Sequence, residues 1–230
     1  LDGVADLQAR VWGPYRKLQI AGDVVAGDLE VVGTHFADRV ETEVYVDDLS
    51  VLRFPGFQAR RGETRYSGHL EVDFRPETLM DLQVLLQEGR VEDLTGMVVD
   101  LPWVQGGVEG TLNLQGPPDA LSGEIALDLR NVEILGERFG QGRASARMEA
   151  GELTVDDTML QRRNGRESVM ARGRVDQEGA LLVELLTGGI RLEHSDLVER
   201  IGVPLTGDLV LDARIDGSLW EPEPHGRLAL

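Results

Sequence analysis

Along most of this chain apolar and polar residues alternate with a period of two, the pattern of β-strands that bury one face. In Gly207-Asp-Leu-Val-Leu-Asp-Ala-Arg-Ile-Asp-Gly217, Leu209, Leu211, Ala213 and Ile215 take one parity, while Asp208, Asp212, Arg214 and Asp216 take the other. Ser218 to His225 reads as a loop, because Pro222 and Pro224 cannot donate to a ladder, and Gly226 to Leu230 begins another strand.

The same pattern opens the chain, where Gly3, Gly13 and Gly22 have the spacing of Gly207, Gly217 and Gly226, and Gly116 marks the equivalent place in the middle. Val32-Gly33-Thr-His-Phe36 answers Leu135-Gly136-Glu-Arg-Phe139, Gln58 to Gly62 answers Gln161 to Gly165, and Leu101-Pro102-Trp103 answers Val203-Pro204-Leu205. Matches in one order, with offsets of 101 to 105 residues, imply a duplicated unit of several strands. The units run over 1–103 and 104–206, and a third begins at 207–230. Both ends cut through the repeat, as expected of a segment of a longer protein.

Strands are predicted in the first unit at Ile20 to Val31, Val40 to Val46, Leu49 to Phe57 and Arg65 to Phe74. The second unit repeats them at Glu124 to Arg130, Arg143 to Glu149, Leu153 to Val155, Val169 to Val175 and Ala180 to Leu186. The last of these is apolar on both parities and is read as covered on both faces, with the following helix as a candidate cover. Two segments break the rhythm. Pro76 as a start, Glu77 in a first turn and Gly89 as a stop predict a short amphipathic helix over 76–88. Its weaker counterpart is a helix near 195–201, with Ser195 as the cap.

Aromatic residues make up only 5% of the 230 residues and glycines number 28, which suits many short strands and turns better than a thick globular core. A formal charge of −18 argues against a nucleic-acid partner, whose affinity needs Lys and Arg, and against an anionic membrane surface. Without cysteine there is neither a disulfide nor a thiolate metal site, and no run of about 18 apolar residues could span a bilayer.

The fold class is therefore mainly β: a long antiparallel sheet connected as a meander, with one or two short helices. Roughly 16 to 18 strands at about 4.8 Å spacing would extend on the order of 80 Å. Such a sheet cannot leave its apolar face wet, so it must curl over, twist onto itself or hold something apolar. The predicted wall of that face is Leu7, Val11, Val44, Val46, Leu70, Val72, Leu112, Leu114, Ile125, Leu127, Met148, Leu153, Val183, Leu209, Leu211 and Ile215. Alternation defines which side is apolar and not what covers it, so the same residues also suit an ordinary sandwich core.

The recurring Gly-x-Leu-x-Leu, x-Val/Ile-x-Gly, Pro, Gly-x-Leu pattern is best seen in Gly207 to Leu230. With Asp48-Leu-Ser-Val-Leu52 and Gly62-Glu-Thr-Arg-Tyr-Ser-Gly68 as connecting strands, it resembles the TamB and AsmA-like family of periplasmic proteins. The resemblance implies a long curled sheet, a β-taco, with a hydrophobic groove that carries phospholipid or other acyl-chain lipid between the inner and outer membranes of diderm bacteria. It also implies a role in outer-membrane protein assembly beside an outer-membrane β-barrel partner, and membrane contact through parts of the parent protein outside this segment. The segment itself would lie in the periplasm, with the wall residues as its lipid-binding groove. A buried acyl chain gains about 0.8 kcal/mol per methylene, hence on the order of 10 kcal/mol for a chain of about 16 carbons. The alternative is a structural stalk, or an assembly scaffold, that binds partners by strand addition.

Candidate catalytic chemistry is sparse. His35, His69, His194 and His225 occupy unrelated places, and none has the partner spacing of a helical metal site. Asp47-Asp48 and Asp156-Asp157 read as strand-end turn residues, not as calcium ligands. Lys17 is the only lysine, and no serine sits in a Gly-x-Ser-x-Gly elbow. Trp12, Trp103 and Trp220 lie near the marker strands and suit either turn packing or an aromatic platform. No enzymatic activity, metal or cofactor is expected.

Overall fold

A computed structural model describes residues 2–15, 17–31, 34–95, 104–134, 136–162, 165–187, 189–202, 204–218 and 221–229. Trp103 and Trp220 lie outside the described residues, as do the side chains of Leu209 and Leu211. The first strands are β1 (Asp2–Trp12), β2 (Gln19–Val31), β3 (Thr34–Asp47), β4 (Val51–Arg61), β5 (Thr64–Asp73) and β6 (Leu79–Arg90), followed by helix α1 (Val91–Thr95). Next come β7 (Val104–Gly116), β8 (Ser122–Ile134), β9 (Glu137–Arg138), β10 (Gln141–Glu149), β11 (Glu152–Gln161), β12 (Ser168–Val175) and β13 (Ala180–Thr187). The chain ends with β14 (Ile190–Arg191), a 3-10 turn (Leu192–His194), helix α2 (Asp196–Ile201), β15 (Asp208–Ser218) and β16 (Pro222–Ala229).

Among the described residues these strands form one 16-stranded sheet, in which each long strand runs antiparallel to the long strand before it. The two ends of the strand order do not pair with each other, so the sheet is open and not a barrel. Strand starts recur: β1, β2, β4, β5 and β6 begin at residues 2, 19, 51, 64 and 79, and β7, β8, β11, β12 and β13 at 104, 122, 152, 168 and 180.

Local irregularities recur with them. The register places Asp28 and Leu29 opposite Gly3, and Asn131 and Val132 opposite Gly106. Asp28 and Asn131 hold φ of 50° and 48°, a left-handed conformation that Asp and Asn tolerate better than most side chains. A second bulge falls at Pro55-Gly56 in β4 and at Asp156-Asp157 in β11.

The structure corrects four expectations. The segment 76–88 is not a helix but the approach to and body of β6. Met80, Leu82, Val84 and Leu86 alternate with Asp81, Gln83, Leu85 and Gln87, and pairing to β5 and β7 on both edges overrides the Pro and Gly signals. Gly89 serves the register shift after Leu86, and the helix follows as α1. The loop after β15 is shorter than read, because Pro222 and Pro224 sit within β16, where each faces β15. Asp156 and Asp157 are interior to β11 and not at a strand end. Strand β13 is not covered on both faces, since Leu186 remains 41% exposed. Helix α2 does form where expected: the Ser195 Oγ accepts the Val198 N–H at 3.1 Å, and Gly202 ends it at φ 72°.

The core lies at the end of the strands that carries the helices. Ala26, Ala37, Val40, Phe57, Ala59, Tyr66, Leu86 and Val108 form one buried cluster, with Val91 and Leu94 of α1 against it, and Val132, Phe139 and Leu160 form a second. Phe36 of β3 and Tyr66 of β5 meet edge to face, 5.4 Å apart, across the intervening β4. The Tyr66 hydroxyl also donates to the Phe36 carbonyl, and burial pushes its phenol well above the ordinary value. Contact between alternate strands means that the sheet curls here.

Candidate functional site: an apolar concave face

Directly opposed residues of an antiparallel pair point to the same side of the sheet, so the register traces the apolar face strand by strand. One row runs Leu70, Leu82, Leu114, Gly123, Met148, Leu153, Val175 and Leu181, from β5 to β13. The next runs Val84, Leu112, Ile125, Ala146, Val155, Gly173, Val183 and Ile215, from β6 to β15. In the first repeat Val11, Ile20, Val46, Leu52, Val72 and Met80 make a third. Leu7, Val44 and Leu127 fall on the same face at neighbouring positions, and Leu209 and Leu211 share the backbone parity of Ile215. All sixteen predicted wall positions are therefore on one side. The opposite side carries cross-strand ion pairs such as Arg130 with Glu109 at 2.7 Å and Arg147 with Asp156 at 2.7 Å, exposed and individually weak.

Glycines show which side is concave. On the apolar face a Cβ at Gly22 would stand 2.4 Å from the Gln8 carbonyl oxygen, at Gly68 2.1 Å from that of Gln83, and at Gly110 2.1 Å from that of Ala126. On the polar face, a Cβ at Gly27 would have its nearest neighbour at 3.8 Å. Neighbouring backbones thus crowd together toward the apolar side, and the sheet bends toward it.

Accessibility then separates a groove from a closed core. Of the predicted wall residues whose side chains are described, Val44 and Leu114 are buried, while Leu7 and Val11 on the edge strand are 58% and 59% exposed. Val46, Leu70, Val72, Leu112, Ile125, Leu127, Met148, Leu153, Val183 and Ile215 are half-buried. A sandwich core would bury the whole set. Here the face is sheltered by its own curl and stays reachable from solvent.

Helix α1 packs Val91 and Leu94 against the first buried cluster, and side-chain hydrogen bonds and ion pairs anchor both helices to the strands beside them. Asp93 of α1 accepts from Glu63 N–H at 3.2 Å, Thr64 N–H at 3.1 Å and Thr64 Oγ1 at 2.6 Å, while Glu92 accepts the Gly106 N–H at 3.1 Å. One short helix thereby ties the β4–β5 turn to β7. In the second repeat Asp196 of α2 pairs with Arg138, whose hydrogen bond holds the Asp196 carboxyl below its ordinary range. The Ser195 hydroxyl donates to Glu137, and buried Arg162 pairs with Glu137, donates to the His194 carbonyl and lies 3.5 Å from Glu167. His194 Nδ1 sits 3.1 Å from Glu167. Ser195 and His194 therefore face different carboxylates, and the cluster anchors the helix without the geometry of a nucleophile and its base.

Three further expectations can be placed. Trp12 ends β1 at 48% exposure. His35 bonds Asp38 at 2.8 Å, and His225 lies with Asp216 and Glu223 on the outer face, where Arg214 already neutralises Asp216 at 3.1 Å. Among the described residues no helix is long and apolar enough to cross a membrane.

Sequence reasoning missed several members of the same face: Ile20, Leu52, Met80, Leu82, Val84, Val155, Val175 and Leu181. For those on β6 a signal was present, since the repeat aligns them with Ala180 to Leu186, already read as a strand. No family model, curated protein or solved structure matches the chain.

Proposed function

We propose that this chain is a segment of a non-enzymatic, bridge-like lipid conduit whose concave apolar face holds phospholipid acyl chains as they pass between two membranes of a diderm cell envelope. The observation that carries this reading is the in-register series of apolar positions across both repeats, most of their side chains half-buried and so within reach of solvent. Each methylene sheltered there gains about 0.8 kcal/mol. Because one strand after another presents the same surface, a chain can slide along it with little net change in burial, where a discrete pocket would trap it. The family resemblance extends the reading to a TamB or AsmA-like protein acting in the periplasm in outer-membrane biogenesis.

Mass spectrometry of lipid extracted from the gently purified protein tests the conduit, beside Ile125→Asp with its fold checked by circular dichroism. Phospholipid on the native protein and its loss from a folded variant is the expected result. A native protein free of phospholipid would overturn it.

A further inference from the structure

The outer face is largely charged, but Arg53, Glu71 and Asp81 on one side and Arg65 and Glu109 on the other border a stretch in the middle of β4 to β7 without carboxylate, lysine or arginine. There a shallow, open depression of about 460 Å³ lies at the bulge of Pro55-Gly56. Its rim is made by Ser67, His69, Gln83, Leu85, Thr111 and Asn113, and it contains no carboxylate, lysine or arginine. Apart from a 3.5 Å contact of Gln83 with Asp81, these hydroxyl, imidazole and amide groups make no hydrogen bond among the described residues, and Leu85 is 44% exposed beside them.

The second repeat shows that the fold does not require this neutrality. His69, Gln83 and Asn113 stand in one cross-strand row, and the equivalent row holds Arg172, Glu184 and Arg214. Ser67, Leu85 and Thr111 are matched by Met170, Leu186 and Asp212. The equivalent bulge carries Asp156, which is tied to Arg147. The central row is charged in the second repeat and carries imidazole and amide groups in the first.

We propose that this outer depression is a binding site for a neutral oligosaccharide. Strands β4 to β7 are interior to the sheet with both edges paired, so a peptide cannot dock here by strand addition and recognition falls to side chains alone. Uncharged amides and hydroxyls match a ligand with many hydroxyl groups and no net charge. Leu85 and Pro55 match the apolar face of a pyranose ring, and the net charge of −18 on the whole chain disfavours anionic sugars. The site lies on the opposite side of the sheet from the lipid face and does not depend on that reading.

The test is titration of the isotopically labelled protein with chitotetraose and maltotetraose, neutral sugars of different linkage, and with tetragalacturonate as the anionic control, followed by amide chemical shifts. The double variant Gln83→Glu with Asn113→Arg places at these positions the residue types that Glu184 and Arg214 hold in the same register of the second repeat, so it is expected to fold with an unchanged thermal midpoint. At least one neutral sugar should shift amides of β4 to β7, and the variant should bind it about tenfold more weakly. Shifts from neither neutral sugar, equal binding by the folded variant, or equal binding of the galacturonate would each overturn the proposal.

Discussion

Alanine at Gly110 tests the direction in which the sheet bends. Its Cβ would stand 2.1 Å from the Ala126 carbonyl oxygen, 2.8 Å from Leu127 Cδ2 and 3.0 Å from Leu127 Cα. Two of these are backbone atoms of β8, so relief requires β7 and β8 to move apart on the concave side. Overpacking of this kind costs about 1–3 kcal/mol, offset by roughly 0.4–1 kcal/mol because alanine restricts the unfolded chain. Gly107, on the polar face of the same strand, supplies the internal control, since the nearest atom to its Cβ would be the Arg130 oxygen at 3.4 Å. Gly107→Ala should be neutral to slightly stabilising, and the two variants should differ by about 2 kcal/mol. For a chain of this size that separates their thermal midpoints by roughly 4–8 °C. Urea unfolding with the slope compared between variants provides the second readout. Equal midpoints, or a greater loss at Gly107, would refute a sheet that closes toward its apolar face.

Other substitutions probe the anchoring of the helices. Arg162→Met leaves the buried carboxylate of Glu167 without its guanidinium and should cost about 3–5 kcal/mol, with amide exchange in α2 rising first; unaltered exchange there would show that the ion cluster does not anchor the helix. Thr64 is fully buried, with Oγ1 donating to Asp93 and accepting the Arg90 N–H at 2.9 Å, so Thr64→Val should lower stability by about 1–3 kcal/mol in chemical unfolding, and an unchanged midpoint would contradict that. The Asp196 carboxyl, depressed by Arg138, titrates below its ordinary 3.8 in the folded protein. Its contribution is complete above that value and is lost as pH falls through the lower folded one, so acid should weaken the native protein more than Arg138→Gln, and parallel acid profiles would exclude this linkage.

The strands were legible because alternation is strict where one face is apolar, as in Arg143 to Glu149, and because the second copy of each strand repeats the message. The same redundancy exposes the error at 76–88. Local helix signals at Pro76 and Gly89 outweighed the alternation of Met80 to Leu86, although pairing on both edges decides the outcome. Which side of the sheet is apolar could be read; which way it bends could not, because bending depends on glycines such as Gly22, Gly68 and Gly110 lying opposite a neighbouring backbone. Register is a long-range property that periodicity alone does not carry. The anchoring of α2 was illegible for the same reason, since Glu137, Arg162, Glu167 and Ser195 are brought together from four separate segments.

The central claim concerns what occupies the concave face, and adjacent residues on opposite faces give the most direct measurement. Leu127 points into the face and Asp128 out of it, on one strand and one residue apart. A photoreactive amino acid placed at each position in turn, in cells, should crosslink to phospholipid from position 127 and not from position 128. Equal labelling from both positions, or none from 127 in a folded protein, would contradict an acyl-chain groove.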